Sequence, residues 1–106
     1  MTNTKKLLGL RIKELRKLKG YTQSELAEYI EVDPKHLSRI ESGVNYPSMV
    51  ALVKMADKLD VELKELFVFN HLDSPKTLLD EMSTTLNNVD EAKLRLYYRV
   101  LKDLTL

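Results

Sequence analysis

Apolar residues recur along this chain at intervals of three and four, with capping residues and glycines between the runs, and that period predicts helices from one end to the other. The first run, Lys5 to Lys19, places Leu8, Ile12 and Leu15 on one face, with Leu7 and Leu18 at its edge. Residues 1 to 4 read as a loose polar start, Gly20 as a stop and Tyr21 as a residue packing in the junction. Thr22 can then N-cap a second helix, and Glu25 three residues later completes a reciprocal capping box. Leu26, Ala27 and Ile30 give that helix its apolar face, and Glu31-Val32 fits a turn. Asp33 followed by Pro34 opens a third helix, since Asp supplies a capping oxygen and Pro at the first helical position loses no needed N–H. Gly43 closes it, because only glycine enters the left-handed stop conformation cheaply.

The third helix has a divided surface. At 100° per residue Leu37 and Ile40 point one way, while Lys35, Ser38, Arg39 and Ser42 fan out on the other. A helix this short does not stand alone in water, so the two apolar residues must dock it and leave the polar set outward. Val44-Asn45-Tyr46-Pro47 follows as a loop. Ser48 caps a fourth helix whose expected core stripe is Met49, Val53, Ala56 and Leu59, with Asp60 as its stop. Val61 to Phe69 supplies a fifth short helix or turn with Leu63, Leu66 and Phe67 as core candidates.

From residue 71 the pattern changes, which divides the chain into 1–70 and a helical extension, 71–106. Ser74-Pro75 starts a helix with Leu78, Leu79, Met82 and Leu86 on its apolar side, and Asn87-Asn88 breaks it. Asp90 caps a last helix to about Leu104, where Val89, Leu96, Tyr97, Val100, Leu101 and Leu104 cover an arc of roughly 140°, widened by Leu94. That much apolar surface calls for burial on the fifth helix, against another copy of the chain, or both. A two-fold dimer through Leu96, Tyr97, Val100, Leu101 and Leu104 is the expected main use.

Composition narrows the chemistry. The 106 residues suit one small core with an appendage, and 17 Lys+Arg against 16 Asp+Glu give no overall basic character. The distribution is uneven: residues 1–39 hold nine Lys/Arg and five Asp/Glu, and residues 40–106 hold eight and eleven. A basic front and an acidic back suit a protein that meets a polyanion with one side. Cysteine is absent, so disulfides and thiolate metal sites are excluded. No apolar run approaches the roughly 18 residues of a membrane span, and the start has no secretory pattern, so a cytoplasmic location follows by default. With no Gly-rich phosphate loop and no His pair at metal-ligand spacing, the expectation is no enzyme, no cofactor and no metal.

Residues 5 to 67 resemble the phage-repressor/Cro-type helix-turn-helix, the Xre family of DNA-binding domains. The resemblance rests on Gln23, Leu26-Ala27, the spaced Val32, Leu37 and Ile40, and the ending Ser38-Arg39-Ile40-Glu41-x-Gly43. It implies an all-α, five-helix repressor-like domain, here with a C-terminal two-helix extension. It also implies a pair between Arg16 and Glu41 that ties the first helix to the end of the third. Its reading helix would lie in the major groove of double-stranded DNA with its N-terminal residues on base edges. Carried over by position, Pro34, Lys35, Ser38 and Arg39 would touch bases or adjacent phosphates. Lys35 and Arg39 are the expected base contacts, because both donate to guanine O6 and N7. Gln23 matches a phosphate contact, Asn45 and Tyr46 are further candidates, and His36 stands between groove and core.

Two positions depart from the family pattern: Glu31 and Asp60 stand where glycine is usual. If the backbone is left-handed at Glu31, the residue costs roughly 1 kcal/mol relative to glycine. The expected function is a sequence-specific transcriptional regulator, by family a repressor, acting as a homodimer. The competing expectation is a protein-interaction module, such as an antitoxin or repressor antagonist, whose apolar tail binds a protein partner.

Overall fold

The computed structural model describes residues 3–105, and among these every regular element is helical. Helix α1 spans Thr4–Leu18, α2 Gln23–Ile30, α3 Pro34–Glu41 and α4 Met49–Lys58. Two 3-10 helices follow, Leu63–Phe67 and Asn70–Leu72, and then α5, Pro75–Asn87, and α6, Glu91–Thr105. The chain divides into two compact units, the first ending at Asp73 and the second beginning at Ser74.

In the first unit the local signals act as their chemistry dictates. Both halves of the capping box form: Glu25 N–H donates to Thr22 Oγ1, and Thr22 N–H to Glu25 Oε1, each at 3.1 Å. The second bond holds the Glu25 carboxyl below its ordinary range. Asp33 Oδ1 accepts from Lys35 N–H at 2.8 Å with Pro34 in the first turn, and Ser48 Oγ accepts from Ala51 N–H at 3.1 Å. Helix α1 begins one residue early, at Thr4, because Asn3 caps it through Lys6 N–H at 3.2 Å. Residues 1 and 2 of the expected polar start lie outside the described residues. Glu31 has φ 62° and Asp60 φ 55°, so both keep the left-handed backbone without glycine.

The core is built from Leu8, Ile12 and Leu15 of α1, Leu26, Ala27 and Ile30 of α2, Leu37 and Ile40 of α3, and Leu66. Helix α4 contributes Ala51, Leu52, Met55 and Ala56, with Leu59 at its end. The expected stripe holds at Ala56 and Leu59 and fails at Met49 and Val53, which are 62% and 53% exposed. The run MVALVKMADKL is apolar nearly all round, so periodicity allows two overlapping stripes and the neighbours α2 and the first 3-10 helix select one. The expected fifth short helix or turn forms as a 3-10 helix and buries Leu66, while Leu63 and Phe67 stay exposed and Phe69 packs against the core instead.

Gly9 sets how closely α1 and α3 approach. A Cβ on it would lie 2.3 Å from Ile40 O and 2.8 Å from Glu41 O. Glycine inside a helix costs about 1 kcal/mol relative to alanine, and here it permits backbone-to-backbone contact.

In the second unit Ser74 Oγ accepts from Thr77 N–H at 3.2 Å, and Asp90 Oδ1 from Lys93 N–H at 2.8 Å. Both helices therefore start where the sequence places their caps. Neither buries a side chain: Leu79 and Met82 of α5 are exposed, as are Leu96, Tyr97, Val100, Leu101 and Leu104 of α6.

Candidate nucleic-acid interface

Helix α3 is fixed by residues that face inward and offers those that do not. Leu37 and Ile40 are fully buried, and Pro34, Lys35, Ser38 and Arg39 are exposed. His36 is half-buried at the edge between the two faces. Ser42 is exposed but turned back on its own helix, with Oγ donating to Arg39 O at 3.2 Å. The outward set thus comprises two cations, a hydroxyl and an apolar ring on one short rod. A guanidinium and an ammonium supply donors only, which suits guanine acceptors and phosphate oxygens alike.

A buried ionic cluster anchors the far end of that rod. Arg16 Nε donates to Glu41 Oε2 at 2.7 Å and Nη2 to Oε1 at 2.9 Å, a bidentate pair with the residues 7% and 4% exposed. Nη1 donates to Tyr21 O at 2.8 Å. The Gln23 side-chain amide gives a third bond to the carboxylate, Nε2 to Oε1 at 2.9 Å. Glu41 sits at the negative end of the α3 dipole, an unfavourable place for a carboxylate, and Arg16 offsets this while its own position in the last turn of α1 is favourable. No buried side-chain nitrogen or oxygen among the described residues is left unbonded. One cluster therefore joins α1, the α1–α2 junction, the start of α2 and the last residue of α3.

Gln23, expected at a phosphate, also has a task within the fold. Its amide has two N–H donors, and one is committed to Glu41, so Gln23 acts first as a positioning residue. No local pattern signals this bond, because the partner lies eighteen residues away. Asn45 and Tyr46 stand in the loop after α3, where the Val44 and Asn45 N–H groups donate to Arg39 O at 2.9 and 3.3 Å. Tyr46 is exposed and Asn45 half-buried. Two further participants escaped sequence reasoning. Gly9 allows the α1–α3 contact, and a lone glycine on an apolar helix face was its only trace. Lys5 stands over Tyr46, 5.5 Å from the ring centroid, which no local pattern foretells. Among the described residues no three His, Asp or Glu side chains are placed to hold a metal ion, and no helix is long and apolar enough to cross a membrane.

Comparison with known proteins places this arrangement. The helix-turn-helix family model matches residues 12–66, from the middle of α1 into the first 3-10 helix. The HTH-type transcriptional regulator SinR of Bacillus subtilis (strain 168) is 42% identical over 66 residues, covering 61% of this chain and 60% of SinR. The chain thus matches only about three-fifths of that curated relative's length. A crystal structure of SinR, described as the master regulator for biofilm formation, in complex with DNA aligns with a TM-score of 0.52 and 45% identity. It covers 56% of this chain and 95% of the SinR chain. The SinR protein/SinI protein complex aligns over 92% of this chain and 97% of that one, with a TM-score of 0.56 and 30% identity. Matched across more than half its length, this chain belongs to the Xre/Cro-type helix-turn-helix family.

Proposed function

We propose that this chain is a sequence-specific double-stranded DNA-binding transcriptional regulator that reads the major groove with α3 and acts as a repressor in the cytoplasm. The observation that carries the reading is the division of α3: two fully buried anchors, and an outward face of Pro34, Lys35, Ser38 and Arg39. Lys35 and Arg39 are assigned to base edges, Pro34 to apolar contact and Ser38 to either strand's polar atoms. Asn45, Tyr46, His36 and the remaining amide donor of Gln23 are assigned to the DNA backbone, where they fix register without carrying sequence information. The family membership and the DNA-bound SinR structure support this reading.

The exposed apolar residues of α6, Leu96, Tyr97, Val100, Leu101 and Leu104, support pairing with a second copy into a two-fold homodimer. The same face favours a second reading, docking of a protein partner, which the SinR/SinI complex supports by analogy.

The deciding experiment is selection of bound duplexes from a random pool, run beside the Lys35→Ala/Arg39→Ala double variant. The expected outcome is an inverted repeat with half-sites centred about 34 Å apart, lost in the variant. A single half-site would retain DNA reading and remove the dimer. No enrichment at low salt by folded protein would reject the DNA reading in favour of the protein partner.

A further inference from the structure

The loop that follows α3 packs against the first turn of α1. Gly43 has φ +81° and turns the chain toward α1 so tightly that a Cβ on it would lie 2.7 Å from Lys6 Cα. The first turn of α1 is therefore in backbone contact with the loop after α3. The bonds from Val44 and Asn45 to the Arg39 carbonyl fasten that loop to the reading helix. Three residues past Gly43, the exposed Tyr46 ring lies under Lys5 Nζ. Lys5 is half-buried and Lys6 is exposed. The first turn of α1 holds no acid, and the first carboxylate in the chain is Glu14. Among the described residues Lys5, Lys6, Lys35 and Arg39 pair with no carboxylate, as is true of most Lys and Arg of this chain, so their charges are available to a ligand.

We propose that Lys5 and Lys6, with Tyr46 as the platform that holds Lys5, form a second strip that contacts DNA phosphates beside the major-groove reading face. The proposal rests on the reading that α3 enters the groove. An ammonium is a compact point charge, suited to phosphate and uninformative about sequence. The ring quadrupole of Tyr46 restrains Lys5 without neutralising it. The strip adds affinity and orientation, not base preference.

The test is a salt titration of the full chain on its selected duplex, with Lys5→Gln, Lys6→Gln, the double variant, Tyr46→Phe and Tyr46→Ala. Each phosphate contact contributes about 0.9 to the slope of log affinity against log salt, so the double variant should be shallower by about 1.8. Over a fourfold rise in salt, wild type should lose about 12-fold more affinity than the double variant. The preference for the selected duplex over a scrambled one should not change. Tyr46→Phe loses only a neutral hydroxyl contact, so its affinity should fall while the wild-type slope is kept, and Tyr46→Ala should move toward the slope of Lys5→Gln. An unchanged slope in variants that melt like wild type would overturn the strip, and so would a changed sequence preference. Lys6→Gln alters only an exposed side chain and serves as the folding-neutral member of the set. Failure of wild type itself to bind any duplex would instead reject the functional reading beneath the proposal.

Discussion

Glu31 occupies a left-handed backbone, φ 62° and ψ 44°, at the turn between α2 and α3, and its carboxylate meets Lys54 only at 3.5 Å on an exposed surface. Such a pair returns little. Glu31→Gly should therefore raise stability by about 0.5–1 kcal/mol, read from the urea midpoint, with the third helix unmoved. The opposite sign is expected at Arg16. Its removal leaves the Glu41 carboxylate buried with only the Gln23 amide, so Arg16→Ala should cost about 3–5 kcal/mol in a urea melt. Glu14 supplies a pH test. Burial raises its pKa, but hydrogen bonds and charge from His71, 2.9 Å away, and from Arg11 outweigh that and hold it below its ordinary value of 4.5. A carboxyl depressed on folding stabilises above its unfolded pKa and loses that contribution as pH falls through the folded one. Wild type should thus exceed Glu14→Gln in urea midpoint above about pH 4.5 and converge with it on further acidification.

At the scale of elements, what was legible followed from local chemistry. The caps at Thr22, Asp33, Ser48, Ser74 and Asp90 each find their expected N–H, and the glycine stops at Gly20 and Gly43 have positive φ. The outward face of α3 was legible for the same reason, since two apolar residues three apart determine which side is left. What could not be read depends on partners distant in sequence. The choice between two stripes on α4, the 3-10 form of Leu63–Phe67 and the bond from Gln23 to Glu41 are all decided by packing neighbours. Helix α6 carries the prediction at this scale. Tyr97 and Leu101 lie one turn apart on an exposed face, so Tyr97→Asp/Leu101→Asp should leave the helical circular dichroism of the first unit intact. Sedimentation should show a dimer for the parent chain and a monomer for this variant. A variant that still sediments as a dimer would remove these residues from the interface.

For the whole molecule, near-neutral net charge conceals an uneven layout, with the cationic excess in residues 1–39 and the acidic excess beyond. Association with DNA should accordingly slow as salt rises even though the pI near 7.9 gives no warning of it. The two units divide the work proposed for the chain: reading lies in the first and pairing in the second. Pairing multiplies the effect of each half-site contact, because the second half-site meets its reader at a high effective concentration. Monomerisation at α6 should therefore weaken binding to an inverted repeat far more than binding to a single half-site, which a side-by-side titration of the two duplexes would register.

The anchoring of α3 has a consequence for how such proteins diversify. The side chains that fix the helix in the fold are the Asp33 cap, Leu37, Ile40 and Glu41, with the Gly43 stop, whereas Lys35, Ser38 and Arg39 contribute only backbone groups to that fixing. The side chains at those three positions can therefore change without a large folding penalty, so target preference can vary on an unaltered scaffold. A library randomised at 35, 38 and 39, with proline and glycine left out, should consist largely of members within about 0.5 kcal/mol of the parent in stability. Their binding preferences should scatter widely, making this helix an exchangeable cassette in an otherwise unchanged chassis.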